Sequence, residues 1–214
     1  MNVFLKTAVA ETYDDYYLTD FGKQVDNLEQ KLVSKLISNI PRGPMLELGC
    51  GTGHWTDFFI REGFQLTGVD ISEPMLQIAR SKSIKADFIQ ANVLDLPFAE
   101  ESYNLISAIT MLEFVSDQEQ ALKAIYRILK PGGWFIAGCL NAESVLGKNK
   151  AQDETFRHGS FFTSKELQVK LQRFGRPSFN FGVHLNENSE LLDGTTESEQ
   201  VQPVFLAAIV QKNK

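Results

Sequence analysis

Met45-Leu46-Glu47-Leu48-Gly49-Cys50-Gly51-Thr52-Gly53-His54 is an apolar run that ends in three glycines on alternate positions. A helical pattern follows directly, from Trp55 to Ile60, so this segment predicts a strand, a tight turn and a helix. Glycine has no Cβ, so it adopts positive φ and lets a ligand lie directly on the backbone. The start of the helix adds unpaired N–H groups and the positive end of the helix dipole. A nucleotide-like ligand is therefore the expected occupant of the turn.

The spacing of the glycines separates classes of nucleotide-binding protein. Dinucleotide-binding folds use G-x-G-x-x-G, but here His54 stands where that pattern requires its third glycine. The turn instead reads E-x-G-x-G-x-G, with Glu47 inside the strand. A nicotinamide-dependent oxidoreductase is therefore disfavoured. A glycine-rich turn that binds no ligand is the plain alternative.

A second signal lies at the end of the next predicted strand. Asp70 follows the apolar run 64–69, and an acid at the carboxyl end of the second strand is where a nucleoside offers its ribose diol. An ionised carboxylate accepts both hydroxyl protons in charge-assisted hydrogen bonds. An aspartate that only caps the following helix is the alternative.

These motifs resemble those of the class I S-adenosylmethionine-dependent methyltransferases, in particular the small-molecule subgroup called type 11. The likeness is carried by the glycine turn, by Gly68-Val69-Asp70-Ile71-Ser72 and by Lys130-Pro131-Gly132-Gly133 with the strand after it. It implies S-adenosyl-L-methionine as cofactor and S-adenosyl-L-homocysteine as product. It also implies that the glycine turn supports the methionine part, that Glu47 helps to hold the amino group, often through water, and that Asp70 binds the ribose.

The resemblance gives a set of expected cofactor contacts. The family usually has an acid where this chain has Asn92, so the hydrogen bond from the adenine amino group would go to an uncharged amide carbonyl. Ile71 and Met75 would flank the adenine, and Tyr17 would reach the site from an N-terminal helical lid. The full set is Glu47, Gly49, Gly51, Gly53, Asp70, Ile71, Met75, Asn92, Val93, Thr110 and Tyr17.

Candidate catalytic groups follow from the chemistry of methyl transfer. A sulfonium methyl group is already activated, so the reaction is a direct displacement that needs alignment and exclusion of water. A hydroxyl acceptor would benefit from a base, and the candidates are Glu113, beyond the fourth predicted strand, and His158, in a variable loop. A rim carboxylate and a surface histidine are the plain interpretations of these two residues. A non-catalytic cofactor-binding or regulatory protein on the same fold is the alternative function.

Composition limits the other classes. The chain has 214 residues, 43% of them hydrophobic and 22% charged, with a formal charge of −6, which predicts one globular domain. An acidic surface repels phosphate backbones, so no nucleic-acid partner is expected, and no apolar run is long enough for a membrane helix. Two cysteines provide neither a disulfide framework nor a metal site, which fits a cytoplasmic location. A small-molecule acceptor and a monomer or homodimer are expected, and the sequence does not name the acceptor.

The alternation of strand and helix patterns predicts an α/β fold. It is a Rossmann-like, doubly wound, seven-stranded and mostly parallel sheet with an antiparallel edge strand and helices on both faces. Within the one domain we expect an N-terminal helical cap (1–40), a cofactor-binding core (41–140) and a substrate-side loop with the C-terminal sheet edge (141–214). The acidic segment 186–200 is predicted to be a solvated loop.

Overall fold

A computed structural model describes residues 2–192 and 201–214 of the chain. It consists of one sheet with helices around it, and short 3-10 turns at Val3–Leu5, Leu112–Phe114, Lys150–Gln152 and Phe156–His158. The strands are β1 Pro44–Leu48, β2 Gln65–Asp70, β3 Ala86–Gln90, β4 Tyr103–Ile109, β5 Leu129–Leu140, β6 Ser178–Gly182 and β7 Phe205–Gln211. The α-helices are α1 Thr7–Thr12, α2 Asp15–Leu18, α3 Asp20–Ile37, α4 His54–Arg61, α5 Glu73–Ser81, α6 Gln118–Ile128, α7 Val145–Asn149 and α8 Ser164–Leu171.

The sheet has seven strands in the order β3-β2-β1-β4-β5-β7-β6. The strands from β3 to β5 are parallel, and β7 is antiparallel to both β5 and β6. This confirms the predicted Rossmann-like sheet with an antiparallel edge. The strand order reverses between the neighbouring strands β1 and β4. In such sheets the ligand crevice lies beyond the carboxyl ends of the strands at that point.

Two apolar layers hold the helices against the sheet. Alternation along β4 shows the division, because Leu105 and Ile109 face α3 and α4 whereas Ile106 and Ala108 face α6 and α8. The central strands are buried on both faces, as expected for parallel strands covered by helices. This rigid double layer fixes the positions of the strand ends that form the site.

Three local predictions need correction. The helix before β5 ends at Ile128 and the strand begins at Leu129, earlier than the predicted Trp134, because residues 130–133 form an irregularity in the ladder between β4 and β5. The pattern Ser116-Asp117-Gln118-Glu119 predicts a capping box that begins at Ser116, but the N-cap of α6 is Asp117, whose side chain accepts from the Gln120 N–H. The segment 141–162, predicted as an irregular loop, contains α7 and two 3-10 turns.

Other predictions are confirmed or lie beyond the description. The spacing of Thr163 and Glu166 predicts a capping box, and these two residues form it at the start of α8. Of the acidic segment 186–200, residues 193–200 lie outside the described residues. No helix in the described part of the chain is long and apolar enough to cross a membrane.

Candidate active site

A cavity of about 530 Å³ opens beyond the carboxyl ends of β1, β2 and β4. Its walls are the glycine turn, the loops after β2, β3 and β4, and an N-terminal wall formed by residues of the segment 2–17. All of the predicted site residues line this cavity except Glu47 and Gly53. The volume lies within the range of about 300–1,000 Å³ that is typical of small-molecule sites.

The three glycines of the turn all have positive φ but differ in their surroundings. At Gly49, with φ of 72°, an added Cβ would lie 2.2 Å from Cγ of Met111. At Gly51, with φ of 51°, an added Cβ would meet nothing within 4 Å, and this residue borders the cavity. Gly53 caps α4 and packs on Ile84, outside the cavity lining. Gly51 is therefore the position where a ligand has bare backbone to lie against.

Asp70 connects the tip of β2 to the glycine turn. Its Oδ2 accepts a hydrogen bond from the Gly51 N–H at 2.8 Å, and its Oδ1 accepts one from the Ser72 N–H at 2.8 Å. A carboxylate has about four acceptor positions, so positions remain for a ligand. Burial raises the pKa of Asp70, although the backbone N–H groups of Ser72, Gly51 and Ile71 oppose that rise.

The side of the cavity beyond β2 and β3 is apolar with one amide. Ile71 is 38% exposed and Met75 is buried, and both border the cavity together with Val93. The Asn92 Oδ1 accepts from the Leu94 N–H at 3.0 Å, which fixes its orientation. This carbonyl keeps a second lone pair for another donor.

The end of β4 contains a strained residue that the sequence does not reveal. Thr110 has φ of 47°, an unusual value for a β-branched residue. Its N–H donates to the Gly138 carbonyl at 2.7 Å, which holds it beside the cavity. Such strain persists where the surrounding structure imposes it, and functional sites are where it concentrates.

Glu47 lies behind the glycine turn. Its side chain is 2% exposed and accepts from the Thr56 hydroxyl at 2.5 Å, which connects β1 to α4. Burial raises the pKa of Glu47 to about 8, while the Thr56 hydrogen bond opposes the rise. Glu47 itself does not border the cavity, so its help in holding the ligand's amino group, often through water, stays a prediction.

Glu113 is buried in the cavity wall. It is 1% exposed, its Oε1 accepts from the Leu140 N–H at 2.5 Å, and its Oε2 has no partner among the described residues. Burial raises the pKa of Glu113 to about 7, partly opposed by the Leu140 N–H. A carboxyl with this pKa and a free oxygen can accept a proton near neutral pH.

His158 also borders the cavity, but on its outer side. It lies on the 3-10 turn Phe156–His158 and is exposed, and its Nε2 accepts from the Arg157 Nε at 3.3 Å. Of the two predicted bases, only Glu113 is enclosed by protein.

The N-terminal wall is anchored by polar contacts that sequence reasoning missed. Asp14 accepts from the Thr52 hydroxyl at 2.7 Å and pairs with the Lys82 Nζ at 2.5 Å. The Ser72 hydroxyl donates to the Phe4 carbonyl at 2.6 Å. These contacts join the wall to the glycine turn and to α5. The aromatic and acidic composition of residues 13–17 was the only signal for them.

Rings line the inner side of the N-terminal wall. The Tyr17 ring stacks on His54, with 3.6 Å between the centroids and 7° between the planes. The His54 Nε2 is 2.7 Å from the Asp26 Oδ1 of α3. Tyr17 therefore faces the glycine turn, as predicted, and His54 holds it there. Among the described residues, no group of three or more His, Cys, Asp or Glu is placed to hold a metal ion.

Comparison with known proteins gives one family match. A family model described as a methyltransferase domain matches residues 46–137, the region that contains the glycine turn, Asp70 and β4.

Relatives and solved structures extend the likeness. An uncharacterized protein of Methanocaldococcus jannaschii is 32% identical over 179 residues, which cover 82% of this chain and 81% of that protein. A ubiquinone biosynthesis O-methyltransferase of Hydrogenovibrio crunogenus is 28% identical, over 73% of this chain and 66% of its own length. The crystal structure of a methyltransferase from Thermotoga maritima, described as S-adenosylmethionine-dependent and as a possible histamine N-methyltransferase, covers both chains completely with a TM-score of 0.75 and 25% identity.

Proposed function

Because the chain belongs to the class I S-adenosylmethionine-dependent methyltransferases, we propose that it transfers a methyl group to a small-molecule acceptor by direct displacement. S-adenosyl-L-methionine is the cofactor, and S-adenosyl-L-homocysteine is the product. The proposal concerns the size of the acceptor, the reaction and the residues that take part in it.

The residues at the strand ends fit this cofactor. Gly51 leaves open space above a backbone held in the left-handed conformation, and Asp70 keeps free acceptor positions beside it for a ribose diol. Ile71 and Met75 would flank the adenine ring, and Asn92 would accept from its amino group. The roles of Gly49, Gly53 and Glu47 are to shape the turn and to fix β1 against α4.

The observation that carries the proposal is the continuity of the cavity. The same space that borders Gly51 and Asp70 extends to Glu113, Phe114 and His158 beyond β4. A second, small reactant therefore has room beside the cofactor residues and under the N-terminal wall. A macromolecular acceptor would have to insert a side chain or a base into this enclosed space.

The chemistry assigned to the protein is modest. The cofactor supplies an activated methyl group on a sulfonium centre. The N-terminal wall excludes water and limits the orientations of the acceptor. Glu113, with its free Oε2, removes a proton from the attacking atom.

The relatives support a small acceptor without naming one. The Hydrogenovibrio crunogenus protein is named for ubiquinone biosynthesis, and the Thermotoga maritima protein is described as a possible histamine N-methyltransferase. Quinone precursors and histamine are both small molecules, but one name implies an oxygen target and the other a nitrogen target.

The test is methyl transfer from S-adenosylmethionine that carries a deuterated methyl group. The protein is incubated with a total extract of cells that express it, and products are separated into low-mass and macromolecular fractions. We expect the mass label in a low-mass compound. Label in protein or nucleic acid alone would contradict the proposal. Absence of transfer with intact binding of S-adenosylhomocysteine would favour the non-catalytic alternative.

A further inference from the structure

We propose that the acceptor is an amine, which enters the cavity as a cation between the aromatic N-terminal wall and Glu113. This inference rests on the proposed function, because it specifies the acceptor of the same cavity. It depends on three features: a continuous set of rings, a buried carboxyl group with a free oxygen, and the charge of the remaining lining.

The rings form an unbroken series from the end of β4 to the start of α4. Phe114 packs edge-to-face on Phe4, with 4.9 Å between centroids and 86° between planes, and Phe4 packs on Tyr13 at 6.2 Å and 78°. Tyr13 packs on Tyr17 at 6.1 Å, and Tyr17 stacks on His54. All five residues border the cavity. Edge-to-face pairs present ring faces as well as edges, and the face of an aromatic ring attracts a cation within about 6 Å of its centroid.

The carboxyl group of Glu113, which borders the same cavity as these rings, has one oxygen without a partner in the described part of the chain. The Glu113 Oε2 is buried without a hydrogen-bond partner among the described residues, whereas Oε1 is satisfied by the Leu140 N–H. A buried acceptor without a donor is unfavourable, and a ligand N–H would satisfy it. An ammonium group supplies that donor with a compensating charge, which makes the hydrogen bond stronger.

The other charges at the cavity also favour a cation. Its lining, as far as the chain is described, contains no Lys or Arg. Burial is the main cause of the raised pKa values of Glu29 in α3 and Cys139 in β5, and the charge of Glu113 adds to both. His158 borders the same cavity. A carboxylate or phenolate acceptor would therefore meet acidic neighbours without a fixed cation to offset them.

The reaction balances with these groups alone. The bound ammonium gives one proton to the ionised Glu113 carboxylate, which leaves a neutral amine with a free lone pair. That lone pair forms the new nitrogen–carbon bond, and the carbon–sulfur electron pair goes to sulfur, which gives neutral S-adenosylhomocysteine. The product leaves as a methylated ammonium ion, and Glu113 returns its proton to solvent.

Binding of matched probes tests the cation preference in the native protein. Calorimetry of the complex with S-adenosylhomocysteine at about pH 8, where Glu113 is ionised, compares protonated 2-aminoethanol, which carries ammonium N–H donors, with its uncharged isostere propan-1-ol. We expect 2-aminoethanol to bind at least about tenfold more tightly. The preference should diminish in Glu113→Gln, which keeps an oxygen for the Leu140 N–H, and persist in the exposed control Glu100→Gln. Equal binding of the two probes to the wild-type protein would overturn the inference.

The chemical class of the labelled product gives a second test. The low-mass compounds from the deuterated-methyl experiment are separated by ion exchange into cationic, neutral and anionic fractions. We expect the label in the cationic fraction, and Glu113→Gln should lower the rate of its appearance at least about 30-fold relative to Glu100→Gln. Label in the neutral or anionic fraction would overturn the amine acceptor and leave small-molecule methyl transfer intact. The two proposals therefore fail separately.

Discussion

Gly49 and Gly51 share a left-handed backbone but differ in what an added methyl group would meet. At Gly49 the group would collide with Met111, whereas at Gly51 it would project into open cavity. Packing therefore requires the first glycine, whereas the second is the position that we propose for contact with the cofactor. Sequence alone could not separate them, because their spacing is symmetrical and Met111 lies beyond a distant strand.

Alanine substitution should separate these two roles. We expect Gly49→Ala to lower the free energy of unfolding by at least about 2 kcal/mol, since overpacking adds to the backbone strain. Gly51→Ala should cost only about 1–2 kcal/mol of backbone strain but abolish most of the affinity for S-adenosylhomocysteine. Urea unfolding and a ligand titration measure the two effects. Equal stability losses, with ligand affinity retained in Gly51→Ala, would refute this assignment.

Several residue-level features of the site were accessible from the sequence, and others were not. The glycine turn and Asp70 depend on local strand-to-turn patterns, so their places at adjoining strand ends could be predicted. The positive φ of Thr110 depends on its hydrogen bond to Gly138 in another strand. The Leu140 N–H, 27 residues away, donates to the Glu113 Oε1, and the Glu113 Oε2 is left without a partner among the described residues. No local pattern contains either fact.

At the scale of elements, strands with uninterrupted patterns were predicted most accurately. The sequence predicts strands over residues 86–90 and 103–109, and the bounds of β3 and β4 agree with these ranges residue for residue. The predicted start of β5 was wrong because Pro131 and two glycines normally mark a turn. Here β5 already pairs with β4 at Leu129, and the pairing continues from Trp134 after an irregularity. The antiparallel edge could be predicted because two strand patterns lie close together at the end of the sequence, and the described part of the connection from β6 to β7, residues 183–192 and 201–204, contains no helix.

The N-terminal wall is joined to the rest of the site through the side chain of Asp14. Asp14 accepts from the Thr52 hydroxyl, 38 residues away, and pairs with Lys82. Thr52 is fully buried, so loss of Asp14 would leave its hydroxyl without this partner. Asp14 therefore joins the wall both to the glycine turn and to the end of α5.

Substitution of Asp14 should loosen this wall without unfolding the protein. We expect Asp14→Ala to weaken binding of S-adenosylhomocysteine by about 3- to 10-fold, because a partly exposed hydrogen-bonded ion pair contributes about 1 kcal/mol. The weaker binding should appear as faster dissociation of S-adenosylhomocysteine, measured by stopped-flow fluorescence. The neighbouring Asp15 is exposed, so Asp15→Ala is the matched control. If both variants release the ligand at the wild-type rate, the wall does not retain it.

At the scale of the whole molecule, buried acids make stability depend on pH in an unusual direction. Burial raises the pKa of Glu47 from 4.5 to about 8 and that of Glu113 from 4.5 to about 7. Between the pKa of each group in the unfolded chain and its pKa in the folded protein, the folded protein binds more protons than the unfolded chain. The free energy of unfolding therefore falls as pH rises. The contribution of these two groups to stability is therefore fully present below about pH 4.5 and is lost as pH rises through about 7–8.

We expect the melting temperature to fall between about pH 6 and about pH 9, by about 2–4 °C for each kcal/mol lost. Glu47→Gln should flatten this dependence, because its amide oxygen still accepts from Thr56 but never ionises. Differential scanning calorimetry across the pH range measures the slope. A melting temperature that rises over this interval, or an unchanged slope in Glu47→Gln, would show that these acids are not buried as described.

The central claim is that the tips of β1 and β2 bind S-adenosylmethionine together, and calorimetric titration with S-adenosylhomocysteine tests it most directly. We predict micromolar binding to the wild-type protein and at least about 30-fold weaker binding to Asp70→Ala, because charge-assisted hydrogen bonds contribute about 1.5–3 kcal/mol each. Asp87→Ala, on an exposed residue of β3, should bind like the wild type. Wild-type affinity in Asp70→Ala would contradict the account.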